Sequence, residues 1–203
     1  MTDNYARIVG DNLGKLYGSL PVDLADKLPG NQDGDVFEFS AFGDTCRIGP
    51  DAIVLGDEEE WGVLGILISL YALNASAEPS VLEPLKAYKD FPDSMPYVGA
   101  FASHTERVLV PHVDRIETRR PRINAVLPIR DAAALAGGDF SFLVTPLPKI
   151  TLCYIFYQAD EDFPASATCL FSSNANQFLP LDALADVGEY TSKKILSLIS
   201  EEN

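Results

Sequence analysis

The sequence predicts an α+β fold in which antiparallel strands pack against helices. Two stretches, residues 36–55 and 139–171, each show short apolar runs separated by tight turns, which is the pattern of a strand meander. Helical patterns lie between and beside these stretches, and strands do not alternate one by one with helices as they do in a parallel sheet. A chain of 203 residues suits one domain. We therefore expect a single domain over residues 1–203, with an arginine-rich helical insertion at about 97–136.

An amphipathic helix is predicted at the N-terminus. Its apolar side chains recur at helical spacing, at Tyr5, Val9, Leu13, Leu16 and Leu20. Glycines recur at every fourth position, at Gly10, Gly14 and Gly18. A glycine in a helix interior costs about 1 kcal/mol relative to alanine, so three on one face predict a closely packed neighbour there.

The first meander is predicted to lead into a buried helix. Strands at 36–42, 45–48 and 52–55 are joined by a hairpin turn at Gly43-Asp44 and a second turn at Gly49-Pro50-Asp51. The acidic run Asp57–Glu60 resembles a helix start, with Asp57 and Glu60 at capping-box spacing. The helix at 61–73 is apolar nearly all round, which predicts a central buried position. At about 13 residues it falls short of the roughly 20 needed to cross a bilayer. The proline-rich stretch 76–96 reads as a loop with a short helix at 81–88.

Residues 97–136 read as two or three helices broken at prolines, and they concentrate positive charge. Six of the 15 basic residues lie here and all six are arginines. Four of them form the candidate ligand-binding group Arg115, Arg119, Arg120 and Arg122. Arginine side chains match phosphate or carboxylate with paired hydrogen bonds, so a small anionic ligand is one interpretation. Ion pairing with acids of the same protein is the alternative. His104 and His112 lack the spacing of a helical metal pair.

The second meander should hold the most buried strand. Residues 150–157 form an almost unbroken apolar run, typical of a strand covered on both faces. Residues 140–145 and 165–171 alternate instead, and Pro146 and Pro148 mark a turn between the first two strands. The second turn carries three acids, which we take as candidate ligand-binding residues: Asp160, Glu161 and Asp162. Carboxylate clusters suit Mg²⁺ or Ca²⁺, and a solvated structural corner is the alternative. In the structural interpretation Phe163 is buried beneath the corner, and backbone N–H groups hold Asp160 and Asp162.

An amphipathic helix at 180–200 closes the chain, with acids early and lysines late, the order that the helix dipole favours. It should dock on the second meander.

Several of these features resemble one known family in the same order along the chain. They are Gly137-Gly138-Asp139, the Pro-x-Pro turn, the aromatic strand, Asp160-Glu161-Asp162-Phe163-Pro164, Leu170-Phe171 and the closing helix. The chain resembles domain-of-unknown-function family 3786, uncharacterised proteins of anaerobic bacteria and archaea, best over residues 137–203. It departs from the family at Tyr157-Gln158, where a Trp shortly before the acidic turn is common, and at Ser172, where an Asp is common. The resemblance implies no established activity.

Composition narrows the function classes. The net charge of −15 disfavours nucleic acid and anionic membrane surfaces as partners. Three cysteines without C-x-x-C spacing predict neither a disulfide framework nor a metal site and are compatible with a reducing cytoplasm. The N-terminus lacks the pattern of a signal peptide. The hydrolase elbow, the P-loop and the helical zinc motif do not occur, and we expect no cofactor.

These observations favour a non-catalytic cytoplasmic binding or accessory protein. Its expected partner is an unknown protein or a small anionic ligand, and the resemblance points to a redox partner in an anaerobe. Assembly as a homodimer stays open. The alternative is an enzyme that acts on a small anionic substrate with the acidic-turn carboxylates and the arginine cluster. A deep pocket that unites the two groups would favour the enzyme, and a flat apolar patch would favour the partner.

Overall fold

Two antiparallel sheets of five strands each organise the chain, as seen in a computed structural model that describes residues 2–200. The first sheet is a meander whose strands follow one another in chain order. Its strands are β1 (Asn31–Asp33), β2 (Val36–Ala41), β3 (Asp44–Ile48), β4 (Ile53–Leu55) and β5 (Glu58–Glu59). The second sheet has the order β6-β10-β9-β8-β7. Its strands are β6 (Lys86–Ala87), β7 (Ile129–Asp131), β8 (Phe140–Leu147), β9 (Ile150–Tyr157) and β10 (Ser166–Phe171). The predicted α+β class is confirmed.

Helices surround both sheets. They are α1 (Thr2–Gly18), α2 (Leu24–Lys27), α3 (Val63–Leu73), α4 (Met95–Phe101), α5 (Val113–Thr118), α6 (Arg120–Val126), α7 (Ala133–Ala136) and α8 (Leu181–Ser200). A π-helical turn, Ala102–Glu106, continues α4, and short 3₁₀ turns occur at Tyr88–Asp90, Val110–His112 and Ala175–Gln177. Within residues 2–200, none of the helices combines the length and apolar character that a membrane span requires.

The second meander follows its prediction in β9 but not in β8, where the sequence alternates and yet every residue except Thr145 is buried. Strand β9 lies at the centre of the sheet, and all but its last residue are buried. Its unbroken apolar run is thus explained by cover on both faces. The predicted turn at Pro146 was wrong, because β8 runs on to Leu147 with a register irregularity after Val144. Pairing with β7 ends at Val144, so the missing N–H of Pro146 interrupts no ladder on that edge. The Pro146 carbonyl instead accepts a hydrogen bond from Phe42 N–H of the first sheet, at 2.7 Å.

The acidic run before the buried helix is not a helix start. Residues Glu58 and Glu59 form β5 and pair with Leu55 and Val54, which extends the first meander by one edge strand. Helix α3 begins only at Val63. The capping-box spacing gave a wrong prediction because a chain that has just formed a hairpin can add another strand to the sheet edge. The acidic side chains are exposed on that edge, as they would be at the start of a helix.

The stretch before the arginine-rich segment also differs from its prediction. No helix forms at 81–88; Lys86 and Ala87 pair with Phe171 and Leu170 as edge strand β6. Pro84 disfavours a helix through this stretch.

Helix α1 packs against α3 with its predicted apolar face, where Val9, Leu13 and Leu16 are buried. The glycine face does not have the closely packed neighbour that we expected. A Cβ built at Gly10, Gly14 or Gly18 meets nothing within 4 Å, so this face is open.

A series of buried hydrogen bonds connects β9, α8 and the π turn. Tyr154 is fully buried on β9, and its hydroxyl lies 3.0 Å from the Ser192 hydroxyl of α8. Ser192 Oγ in turn donates to the Thr105 carbonyl at 2.8 Å. Because buried hydroxyls need partners, this series of hydrogen bonds fixes how the π turn sits on the sheet. Helix α8 can approach the π turn closely because Gly188 has no side chain where it lies against Phe101 and Thr105.

Candidate functional site

The four candidate arginines lie on α5, on α6 and between them. Arg120 is engaged within the fold: its Nη2 lies 3.0 Å from Asp131 Oδ2, and its guanidinium stands over the Phe140 ring at 6.0 Å. Arg119 and Arg122 line one shallow cavity of about 390 Å³ together with Thr118 and Pro121. Arg115 does not line that cavity. The anion site stays a prediction, and Arg119 and Arg122 are the two candidate arginines that share a cavity.

The acidic turn is a closed corner built around Asp160. Its Oδ1 accepts hydrogen bonds from the backbone N–H groups of Asp162 at 2.8 Å and Phe163 at 2.7 Å. The Asp160 N–H donates to the Phe163 carbonyl at 2.9 Å, which closes the loop between β9 and β10. This is the common role of Asp in a turn, as predicted. The expected backbone bonds to the Asp162 carboxylate do not occur among the residues that the structure describes.

Phe163 was expected beneath this corner, and that expectation was wrong. Its side chain is 70% exposed. The cause is the tight Asp160–Phe163 closure, which keeps Phe163 in the loop beyond the end of the sheet. Strand β9 ends at Tyr157 and β10 begins only at Ser166, so no neighbouring strand covers the ring.

The corner forms one wall of an open cavity of about 340 Å³, lined by residues that include Asp139, Tyr157, Asp160, Phe163 and Pro164. Tyr157 at the end of β9 is 49% exposed. The Asp139 carboxylate is held in place, because its Oδ2 accepts a hydrogen bond from Gln158 N–H at 2.7 Å. We call the set Asp139, Tyr157, Asp160, Glu161, Asp162 and Phe163 the acidic-turn surface.

The acidic-turn surface and the arginines do not share a cavity. The cavity that Arg119 and Arg122 line has no lining residue in common with the one that Asp160 lines. Gln158, which lines the acidic-turn cavity, donates a hydrogen bond from Nε2 to Glu117 Oε2 of α5, at 2.7 Å. Within residues 2–200 we find no group of three or more His, Cys, Asp or Glu side chains that could hold a metal ion.

The three thiols are buried and free. Burial raises the pKa of Cys46 to about 12 and that of Cys153 to about 11, and it raises the pKa of Cys169 well above its usual value. A thiol with a raised pKa holds little thiolate, which is the reactive form. The cysteines therefore act as small core residues.

Sequence reasoning missed a further pocket beside the π turn, with a volume of about 280 Å³. Tyr88 and Phe101 supply aromatic walls, and Glu106 supplies a carboxylate. One oxygen of Glu106 accepts a hydrogen bond from Cys169 N–H at 3.0 Å. Burial raises the pKa of Glu106, against the smaller effects of that bond and of Arg107. A single Glu in a helical segment gives no sequence signal. The π turn that orients its side chain cannot be recognised from a helical repeat of 3.6 residues.

Comparison with known proteins gives one match. The family model described as Domain of unknown function (DUF3786) matches residues 21–194, which is most of the chain. No curated protein and no solved structure matches the chain.

Proposed function

Since the chain belongs to the family described as Domain of unknown function (DUF3786), we propose a function from its surface: it is a non-catalytic binding protein that docks a positively charged partner protein on its acidic-turn surface. The observation that carries the proposal is the exposure of two aromatic side chains, Phe163 and Tyr157, among carboxylates. The acidic and the apolar components each contribute to recognition, and they do so in different ways.

The aromatic component supplies the apolar part of an interface. A phenylalanine that is 70% exposed loses the free energy that its burial would give, about 1.5–3 kcal/mol for a full side chain. Aromatic side chains are enriched at the centres of protein interfaces, and exposed apolar groups rimmed by polar ones mark interaction sites. Here the two rings border a cavity that is open to solvent. A side chain of a partner can enter such a cavity.

The acidic component selects a basic partner. Four carboxylates, those of Asp139, Asp160, Glu161 and Asp162, belong to the surface, and the whole chain carries a net charge of −15. A positively charged protein is therefore attracted from a distance and bound in a defined orientation. A second copy of this chain would bring like charges together, which disfavours the acidic-turn surface as a symmetric dimer contact.

The geometry gives less support to the alternative, an enzyme acting on a small anionic substrate. That function needs arginines and acidic-turn carboxylates around one bound molecule. The two groups line separate cavities, and Arg120 is committed to Asp131. We keep, as the finer proposal that the family resemblance supports, a redox-active partner in the cytoplasm of an anaerobe. Free, buried thiols are compatible with such a compartment.

Titrations with two labelled peptides test the proposal. One peptide has eight lysines and two phenylalanines, and the other replaces the phenylalanines with serines. We expect the phenylalanine peptide to bind more tightly. Phe163→Ser should weaken that peptide at least tenfold, because it removes about 1.5–3 kcal/mol of apolar burial, and should leave the serine peptide almost unchanged.

Matched variants elsewhere on the chain serve as controls. Val22→Ser removes an apolar side chain that is fully exposed on another surface, and Glu58→Lys makes the same charge change as Glu161→Lys on an edge strand. Glu161→Lys should weaken both peptides more than Glu58→Lys does. If each variant and its control have equal effects, the peptides respond only to net charge and the proposed docking surface is wrong.

A further inference from the structure

The pocket beside the π turn is open to solvent and has a mostly apolar lining. Its volume of about 280 Å³ is near the lower end of ligand pockets, roughly 300–1,000 Å³, which limits the occupant to a small ring or short chain. Tyr88 and Phe101 stack on each other with ring centroids 4.5 Å apart, and Val98 and Ala102 continue the apolar lining. The Tyr88 hydroxyl donates to the Leu181 carbonyl at 2.7 Å, so the aromatic wall is fixed before any ligand arrives.

Two charged residues, Glu106 and Lys89, line this mostly apolar pocket, and the Glu106 carboxylate has a defined orientation. The N–H of Cys169 binds Glu106 Oε1, and the part of the chain that the structure describes supplies no hydrogen-bond partner for Oε2. Burial raises the pKa of Glu106 because its carboxylate is poorly solvated. A carboxylate in that condition gains most from a hydrogen-bond donor or a cation that enters with the ligand.

The backbone around Glu106 is unusual in the same place. Residues Ala102–Glu106 form the π turn, in which Arg107 N–H donates to the Ala102 carbonyl at 2.9 Å. Single π turns within helices are rare and occur frequently at functional sites, because they re-aim the side chains of one turn. Ala102 and Glu106, the two ends of this turn, both line the pocket.

We propose that this pocket binds a small organic cation, a molecule with a ring or short aliphatic body and a protonated amino group, whose ammonium pairs with Glu106. The body lies against Phe101 and Tyr88, and the ammonium donates to the free oxygen of the carboxylate. The site is distinct from the acidic-turn surface and does not depend on the proposed partner binding. Lys89 also lines the pocket, and its positive charge makes a carboxylic acid the rival ligand.

Three probes that share a phenethyl body decide between these ligands: phenethylamine, 2-phenylethanol and 3-phenylpropionate. Each is titrated into the ¹⁵N-labelled full chain, and shifts of the Thr168 and Ala87 amides report occupancy. We expect phenethylamine to bind at least tenfold more tightly than the alcohol, and the alcohol more tightly than the acid. Tighter binding of 3-phenylpropionate, or no shift of these amides with any probe, would overturn the proposal.

Variants identify the group that recognises the amine. Glu106→Gln keeps the shape and can still accept from Cys169 N–H, so the protein should fold while the preference for amine over alcohol falls below twofold. Ala102→Leu fills the cavity and should abolish binding of both. Lys89→Gln removes the positive charge from the lining and should leave amine binding unchanged or slightly stronger. An undiminished amine preference in Glu106→Gln would refute the assignment of the carboxylate.

Discussion

Two glycine-to-alanine substitutions in helices are predicted to differ in their effect on stability. Gly14 lies in α1 and faces open space, since a Cβ there meets nothing within 4 Å. Gly188 lies in α8, where a Cβ would stand 2.7 Å from Phe101 Cε2 and 3.0 Å from Cγ2 and Oγ1 of Thr105. Both positions gain the same helix propensity, about 1 kcal/mol, when glycine becomes alanine.

The difference between the two variants therefore isolates the packing at Gly188. Phe101 and Thr105 are buried and cannot turn aside into solvent. Forcing a methyl group into a packed site costs about 1–3 kcal/mol. We expect Gly14→Ala to raise the free energy of unfolding by about 0.5–1 kcal/mol. Gly188→Ala should then be less stable than Gly14→Ala by the full packing cost of about 1–3 kcal/mol.

Urea unfolding followed by circular dichroism measures both values, and thermal melts provide a second measurement. For a chain of this length each kcal/mol shifts the melting temperature by about 2–4 °C, so the two variants should differ by about 2–12 °C. If Gly188→Ala is as stable as Gly14→Ala, α8 does not approach the π turn as closely as described. If Gly14→Ala lowers the free energy of unfolding, another part of the protein packs against the glycine face of α1 and that face is not open.

Three further predictions concern single side chains. Lys149→Met should lower the free energy of unfolding by about 1–3 kcal/mol, because buried Lys149 donates to two backbone carbonyls of loop 76–78, and hydrogen exchange of that loop should speed up. Glu106→Gln should gain stability relative to wild type as pH rises from its unfolded pKa near 4.5 towards neutrality. Because the pKa of Glu106 is raised in the folded state, the folded protein binds the proton more tightly than the unfolded one, and ionisation lowers the stability of the wild type as pH rises. Urea unfolding of both proteins at a series of pH values measures this effect. A stability difference between the two proteins that does not change with pH would contradict the prediction. Phe163→Ala should change the free energy of unfolding by less than about 0.5 kcal/mol, whereas Phe171→Ala, a fully buried control, should lose about 3–5 kcal/mol in the same urea titration.

The strands were predictable where the side-chain pattern reports burial directly. The unbroken apolar run of β9 and the alternation in β10 correspond to a central strand and its neighbour. The same holds for α8, whose apolar face packs on the core. These elements are long enough for their period to be read, and their apolar content is large enough that no competing conformation would bury it as well.

The misread elements are those whose conformation is decided by a partner distant in sequence. Strands β5 and β6 have two residues each and exist only because β4 and β10 present free edges to them. Phe163 has the composition of a core residue, yet the Asp160 hydrogen bonds close the turn before its side chain can reach the sheet. Local composition carries no information on either outcome.

The pocket beside the π turn likewise depends on contacts between residues that are distant in sequence. Glu106 becomes a site because Cys169 N–H, 63 residues away, holds its carboxylate. Phe101 forms the pocket wall because α8 has only a hydrogen atom at Gly188 where its ring packs. A methyl group at Gly188 must push the Phe101 ring or the Thr105 side chain, and movement of the ring changes the pocket. Gly188→Ala should therefore weaken phenethylamine binding severalfold, while Gly14→Ala, on a helix that does not line the pocket, should not. Equal binding by the two variants would mean that the pocket wall is set by the Tyr88 stack alone and that the contact between α8 and the π turn serves stability only.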